Sequence, residues 1–284
     1  MVFKFLPILE SFLMAGEIQR PRQSHYASDA NACRRQLVYS WRNVPWTNPN
    51  TPGGKLKMEF GNMAEKSLVE NALTWAMANH TVITDFATQI RREVQIDGLK
   101  HMIVTKLDFL ITLADKRVMI LELKSSYGRG IKQIQLHGPK DDHLVQVLFY
   151  LTYNPQKVAT LVYLGRDNGY RTEFEVALID KGLLVDGRLL DTEFYNMSRF
   201  IERFKFVEAC LAADRLPDRD YQVAIKNGEI KDDGFSQGGV TYKCDWQCSY
   251  CRWRDDCWKD ELPKYAKGNN AMIFEEKMAD GNQK

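Results

Sequence analysis

Two groups of residues in this chain of 284 residues have the types and spacing for chemistry, and they call for different ions. The first group is acidic. In the run Val118-Met-Ile-Leu-Glu-Leu-Lys-Ser-Ser, Glu122 and Lys124 stand two apart. On a strand both side chains leave from one face, while Leu121 and Leu123 leave from the other. Asp108 lies in the preceding β-rich run, Thr105-Lys-Leu-Asp-Phe-Leu-Ile, and an antiparallel hairpin brings it beside Glu122. Two carboxylates sharing a site repel each other. A divalent cation relieves that repulsion, and hard oxygen ligands select Mg²⁺ or Mn²⁺. Taken alone, Glu-x-Lys at a strand end is equally the pattern of an exposed ion pair.

The second group is soft. Cys248, Cys251 and Cys257 form a C-x2-C-x5-C run, and thiolates set this close call for a bound metal. Three ligands need a fourth. Cys244 is the nearby choice and would complete a four-sulfur zinc knuckle. Cys33, in Ser28-Asp-Ala-Asn-Ala-Cys-Arg-Arg, is the distant choice. Cys210, between the apolar neighbours Val207 and Leu211, reads as a core residue. The apolar stretch from Phe5 to Leu13 is broken by Pro7 and Glu10, is too short to span a membrane and lacks a signal-peptide cleavage site. A cytoplasmic, reducing compartment is expected, in which clustered thiols are ligands before they are disulfides.

The elements that must carry these residues follow from pattern and punctuation. The first 20 residues read as a short amphipathic helix ending near Gly16, Arg20 to Asn31 as a loop, and Cys33 to Trp41 as helical. Asn43 to Lys57 holds three prolines and two glycines and reads as a loop. Gly61 to Asn79 reads as a helix with Met63, Ala64, Leu68, Ala72 and Trp75 as its apolar positions. Gln89 to Ile96 alternates like a strand. Met102 to Leu113 and Arg117 to Leu123 form a hairpin around Ala114-Asp115-Lys116. Tyr127 to Gly138, with its glycines, reads as a loop. Pro139 opens a helix to about Tyr153, with Asp141 and Asp142 in its first turn. Val158 to Leu164 and Arg171 to Leu178 are strands around a Gly-Arg-Asp-Asn-Gly turn. Leu183 to Ala213 reads as largely helical, and the remainder as irregular and cysteine-rich. The order is that of a mixed α/β chain without a phosphate loop or a dinucleotide fingerprint. Four regions are expected: 1–60, 61–180, 181–262 and a polar tail at 263–284.

Taken in order, Glu65, Asp108, Glu122-x-Lys124 and Gln146-x3-Tyr150 resemble the motif series of the PD-(D/E)XK nuclease superfamily in its RecB-like branch. Gln146 and Tyr150, four apart, share one helical face. Glu65 stands where many relatives carry His, Leu107 where the superfamily name has Pro, and Thr105 where Gly is common. The resemblance implies a restriction-endonuclease-like core, a central mixed sheet flanked by helices, between a helical N-terminal region and a cysteine-rich metal-cluster region. It implies Mg²⁺ or Mn²⁺ on Glu65, Asp108, Glu122 and the carbonyl of Leu123, with Lys124, Gln146 and Tyr150 completing the catalytic set. The cysteines resemble those of the CRISPR-associated iron–sulfur exonucleases. That implies a structural [4Fe–4S] cluster on Cys33, Cys248, Cys251 and Cys257, with Zn²⁺ and Cys244 as the alternative.

With 39 basic and 37 acidic residues the net charge is +2, which excludes a globally basic nucleic-acid binder. Contacts to DNA must come from local patches. Arg129 and Lys132, just after Lys124, are the leading phosphate-binding candidates, with Arg34 and Arg35 beside Cys33. Arg91, Arg92, Lys243, Arg252 and Arg254 follow. Trp246, Tyr250 and Trp253 either stack bases of a single strand or pack around the metal. His137 and His143 flank the helix bearing Gln146. The expected function is a DNA nuclease, exonucleolytic on single-stranded ends, acting in recombination, repair, replication, or CRISPR or viral DNA processing, with protein partners from such a complex. The competing readings are a zinc-stabilised, non-catalytic DNA-binding or adaptor module and an RNA-directed nuclease.

Overall fold

The computed structural model describes residues 6–15, 18–80 and 82–265, without the side chains of residues 65, 66, 264 and 265. The helices are α1 (Leu6–Ala15), α2 (Arg34–Trp41), α3 (Pro52–Met63), α4 (Glu70–Asn79), α5 (Gly128–His137), α6 (Asp141–Tyr153), α7 (Met197–Ala212), α8 (Trp246–Ser249), α9 (Arg254–Trp258) and α10 (Leu262–Tyr265). The strands are β1 (His25–Tyr26), β2 (Ile83–Val94), β3 (Ile103–Leu113), β4 (Val118–Ser126), β5 (Val158–Gly165), β6 (Arg171–Ile179), β7 (Gly182–Val185), β8 (Arg188–Leu189), β9 (Ala224–Lys226), β10 (Glu229–Lys231), β11 (Phe235–Gln237) and β12 (Val240–Tyr242). The chain divides into two units. The first takes the described residues of Met1–Ile18, Arg22–Ala32 and Thr51–Arg215; the second takes Gln19–Pro21, Cys33–Asn50 and the described part of Leu216–Lys284. Most of the expected tail at 263–284 lies outside the described residues.

Unit 1 is a mixed α/β body. Its sheet runs β1-β3-β4-β5-β6-β7-β8, with β2 along the other edge of β3. β3 and β4 are antiparallel and joined by the expected Ala114-Asp115-Lys116 turn, where Lys116 adopts φ 70°. β4 and β5 are parallel, with the α5–α6 crossover between them. Helices cover both faces. Leu73 of α4 packs on Phe109, Ile111, Met119 and Leu121, the odd-numbered face of β3 and β4. Gln146 of α6 bonds Glu122 on the even-numbered face. This is the central mixed sheet flanked by helices expected of a restriction-endonuclease-like core.

Four local readings are corrected. The loop expected over Asn43–Lys57 ends at Thr51, whose hydroxyl accepts from Gly54 N–H at 3.1 Å and caps α3, with Pro52 at its first position. The stretch Gly61–Asn79 is helical, through a π-helical turn at Ala64–Val69. Its expected apolar face is nonetheless open: Met63, Leu68 and Trp75 are 57%, 59% and 58% exposed, and Leu73 is the buried residue. The stretch expected as a loop over Tyr127–Gly138 holds helix α5, Gly128–His137, with Gly128, Ile131 and Ile134 at helical spacing all buried. Leu183–Ala213 opens as the β7–β8 hairpin rather than a helix. Its two-residue turn, Asp186-Gly187, has φ 48° and 77°, as a type I′ turn requires.

Unit 2 joins Cys33–Asn50 to chain beyond Leu216. Arg34 is held through its backbone N–H and guanidinium by Asp220. Trp253 is buried, stacks on Tyr39 with ring centroids 6.4 Å apart, and donates to the Val44 carbonyl at 2.7 Å. The carbonyl of Arg252 accepts from the backbone N–H groups of Thr47 and Asn48, at 3.0 and 2.8 Å. Val223, Ile225 and Trp258 form a small core against which Cys244, Cys248 and Cys257 pack.

Candidate active site and cysteine cavity

Register sets the acidic site. β3 and β4 pair from Thr112–Val118 to Phe109–Leu121 and then part, so Asp108 and Glu122 are the first opposed residues beyond the ladder. Farther along the same edge, β1 takes the place of β4, pairing in parallel at Ile103 and Val104. The gap between them is the mouth of a cleft of ≈ 290 Å³, lined by Tyr26, Ala27, Ser28, Val104, Lys106, Asp108, Glu122, Leu123, Lys124, Gln146 and Tyr150. On the opposite edge of β3, Gln89 adopts φ 53° at the position across from Asp108, between the Thr88–Phe109 and Ile90–Leu107 pairs. Left-handed backbone at a non-glycine residue is strained, and such strain concentrates at functional sites.

The site's polar groups are wired together. Asp108 Oδ2 accepts from the Leu123 N–H at 2.9 Å. Lys124 Nζ donates to Glu122 Oε1 at 2.7 Å and to Gln146 Oε1 at 2.9 Å. The Gln146 amide donates to Glu122 Oε1 at 3.0 Å and also to the Tyr150 hydroxyl, which donates to the Lys106 carbonyl at 2.7 Å. Gln146 therefore fixes Glu122 and Lys124, and Tyr150 ties Gln146 to β3. Glu122 is 1% exposed, and its second oxygen, Oε2, is buried with no hydrogen-bond partner among the described residues. Burial pushes the Glu122 carboxyl up to about 8; Lys124 opposes this and the Asp108 charge adds to it. A bare carboxylate oxygen beside a second carboxylate, in a cleft wide enough for water, fits a hard divalent cation. An extended residue presents its N–H and C=O on one edge, so the Leu123 carbonyl leaves on the Asp108 side.

The remaining sequence candidates are placed as follows. The Glu65 side chain lies outside the described residues. Arg129 and Lys132 are exposed on α5 and do not line the cleft; Lys132 stands over the Tyr170 ring at 4.9 Å. Arg34 is engaged by Asp220. Arg35 donates to the Pro217 carbonyl at 2.8 Å and approaches Cys257 Sγ at 3.8 Å. His143 bonds the Tyr163 hydroxyl at 2.9 Å, and burial, with Lys124 and Lys140 adding, pushes it down to about 3. His137 is exposed at the end of α5. Trp253 is a packing residue, whereas Trp246 and Tyr250 are exposed. Sequence reasoning missed Tyr26, Ser28 and Lys106 as cleft walls, and the even spacing of Lys106 and Asp108 on β3 was the available signal.

In unit 2, Cys33, Cys248, Cys251 and Cys257 line one cavity together with Arg35, Gln36, Tyr39, Arg219, Tyr221, Gln247, Arg254 and Trp258. Cys244 does not line it. Burial raises the Cys33 thiol and lifts Cys251 to about 11; burial and the neighbouring thiols also raise Cys248. Thiols crowded and buried in this way fit a cationic metal centre that would take them as thiolates. Among the described residues no three cysteine sulfurs lie within 4.8 Å of one another. The Cys210 side chain is fully buried in unit 1, as expected of a core residue.

No protein-family model matches the chain, and no curated protein matches it. Among solved structures, the chain is 14% identical to SSO0001, with a TM-score of 0.48 over 88% of this chain and 94% of that one. It is 12% identical to LHK-Exo in complex with dAMP, with a TM-score of 0.42 over 68% and 89%. A second structure, the alkaline exonuclease LHK-Exo from Laribacter hongkongensis, is 12% identical, with a TM-score of 0.38 over 72% and 93%. No helix among the described residues is long and apolar enough to cross a membrane.

Proposed function

We propose that the chain is a metal-dependent DNA nuclease of the PD-(D/E)XK type, RecB-like, that hydrolyses phosphodiester bonds at single-stranded ends. The observation that carries the reading is the buried Glu122 Oε2, bare beside Asp108 in an open cleft and braced by Lys124 and Gln146. Asp108, Glu122 and the Leu123 carbonyl would hold Mg²⁺ or Mn²⁺, with Glu65 as a further candidate ligand. When bound, that ion lowers the pKa of a coordinated water and supplies positive charge to the phosphate. Lys124 keeps its ammonium fixed at the mouth of the cleft, where it orients the attacking water and offsets charge developing on the phosphate oxygens. Gln146 and Tyr150 are positioning residues that hold Glu122 and Lys124. Arg129 and Lys132 would guide the strand outside the cleft.

In unit 2 the four cavity-lining cysteines would hold a structural [4Fe–4S] cluster. Cys33 lines the cavity together with Cys248, Cys251 and Cys257, which supports it as the fourth ligand. End-labelled single- and double-stranded DNA and RNA, incubated with Mg²⁺, Mn²⁺ or EDTA, test the reading. Metal-dependent shortening of single-stranded DNA is expected. Absence of cleavage in a correctly folded, iron-loaded protein would leave the non-catalytic adaptor reading.

A further inference from the structure

A second constellation lies in unit 1, away from the residues assigned to cleavage. Glu208, on α7, sends its carboxylate to the turn before β3. There it accepts from the Lys100 N–H at 2.7 Å and the His101 N–H at 3.0 Å. Oε1 also stands 3.0 Å from His25 Nε2 and 3.0 Å from His101 Nδ1. The three ligand atoms lie within 4.8 Å of one another, the only such histidine, cysteine or acid trio among the described residues.

We propose that His25, His101 and Glu208 form a binding site for a borderline transition-metal cation of the Zn²⁺ class, distinct from the hard-cation site at Glu122. Capping the turn needs only the two backbone N–H bonds. Two imidazoles added on the same oxygen set three nitrogens around an atom with two lone pairs. A cation resolves the crowding, because both imidazoles then supply lone pairs rather than compete to donate protons. Zn²⁺ takes nitrogen and carboxylate ligands at about 2.0–2.2 Å, which puts tetrahedral neighbours at roughly 3.3 Å; here Glu208 Oε1 stands 3.0 Å from each imidazole nitrogen, and all three atoms lie within 4.8 Å of one another. Two imidazoles select such an ion over Mg²⁺. The His25 side chain is fully buried, while His101 is 26% exposed and gives solvent a place as fourth ligand. The consequence is mechanical. The ion would staple β1 to the start of β3 and to α7, and Tyr26, Ala27 and Ser28, which follow His25, form one wall of the cleft.

The test uses full-length, iron-loaded protein equilibrated with Zn²⁺, freed of loose metal, and counted for zinc and iron. Wild type is expected to retain one zinc per chain more than His101→Ala at equal iron content. Zn²⁺ should raise the Tm of wild type and leave that of His101→Ala unmoved. Glu208→Gln, which keeps the side-chain shape, should also lose the zinc. Co²⁺ bound to wild type should give tetrahedral ligand-field absorption that His101→Ala lacks. Equal zinc in wild type and His101→Ala, or zinc lost only when cysteines are replaced, would overturn the proposal. Either outcome is independent of whether the protein cleaves DNA.

Discussion

At Glu122 a carboxylate is buried against Lys124 on one oxygen and left bare on the other, so its protonation, metal binding and stability are linked. Replacing it with Gln, or Lys124 with Ala, should abolish cleavage of end-labelled DNA by roughly 10²–10⁴-fold while the far-UV spectrum and iron content stay unchanged. Full activity in both variants would refute the assignment. Gln146→Leu should cost a smaller factor, on the order of 10–100, in metal affinity or rate, because it removes an orienting partner rather than a ligand. The pH dependence has a definite sign. In EDTA the folded Glu122 holds its proton up to about 8, whereas unfolded it titrates near its ordinary value of 4.5. Between those values the folded state binds the extra proton, so stability falls as pH rises. The Tm of wild type should therefore drop over this range relative to Glu122→Gln. Mg²⁺ affinity should climb over the same range, because binding displaces that proton, and level off above it. The residue types of this site were legible because period two puts Glu122 and Lys124 on one face. The wiring was not, since which oxygen Gln146 bonds depends on where α6 crosses the sheet.

Among the elements, α5 shows why some of the chain was misread. Its first turn carries Gly128 and Gly130, which read as a loop when taken by themselves. Both glycines answer to close approach. A Cβ on Gly128 would fall 1.5 Å from Asn168 Nδ2, and one on Gly130 would fall 2.6 Å from Ser126 Oγ. Asn168 is also wedged against Gly165, and its Oδ1 accepts from the Tyr170 N–H at 3.1 Å. Gly128→Ala must therefore displace the Asn168 side chain, whose Oδ1 bonds the Tyr170 N–H in the β5–β6 turn. A loss of about 1–3 kcal/mol is expected, read as a lower Tm or denaturant midpoint. An unchanged midpoint would mean that the turn yields freely. The β7–β8 hairpin is the converse case, because its Asp186-Gly187 turn signal was present in the sequence.

For the molecule as a whole, the cysteine cavity is lined by residues far apart in sequence, Cys33, Arg219 and Cys248 among them, all within unit 2. Cys33→Ser should release the iron, bleach the visible absorption of anaerobically purified protein, and lower the Tm. Cys244→Ser should leave colour and iron in place, because its sulfur lies off the cavity. A colourless wild type whose zinc depends on Cys244 would reverse the assignment. The sequence by itself determined the acids and thiols available, the hairpin that brings Asp108 beside Glu122, and the mixed α/β order, because these rest on spacing along a few residues. Only the tertiary structure decided that β3 and β4 part just beyond Phe109 and Leu121, that Glu122 keeps one oxygen bare, and that His25, His101 and Glu208 meet. Those facts depend on burial and on contacts between residues far apart in the chain, and no local pattern encodes them.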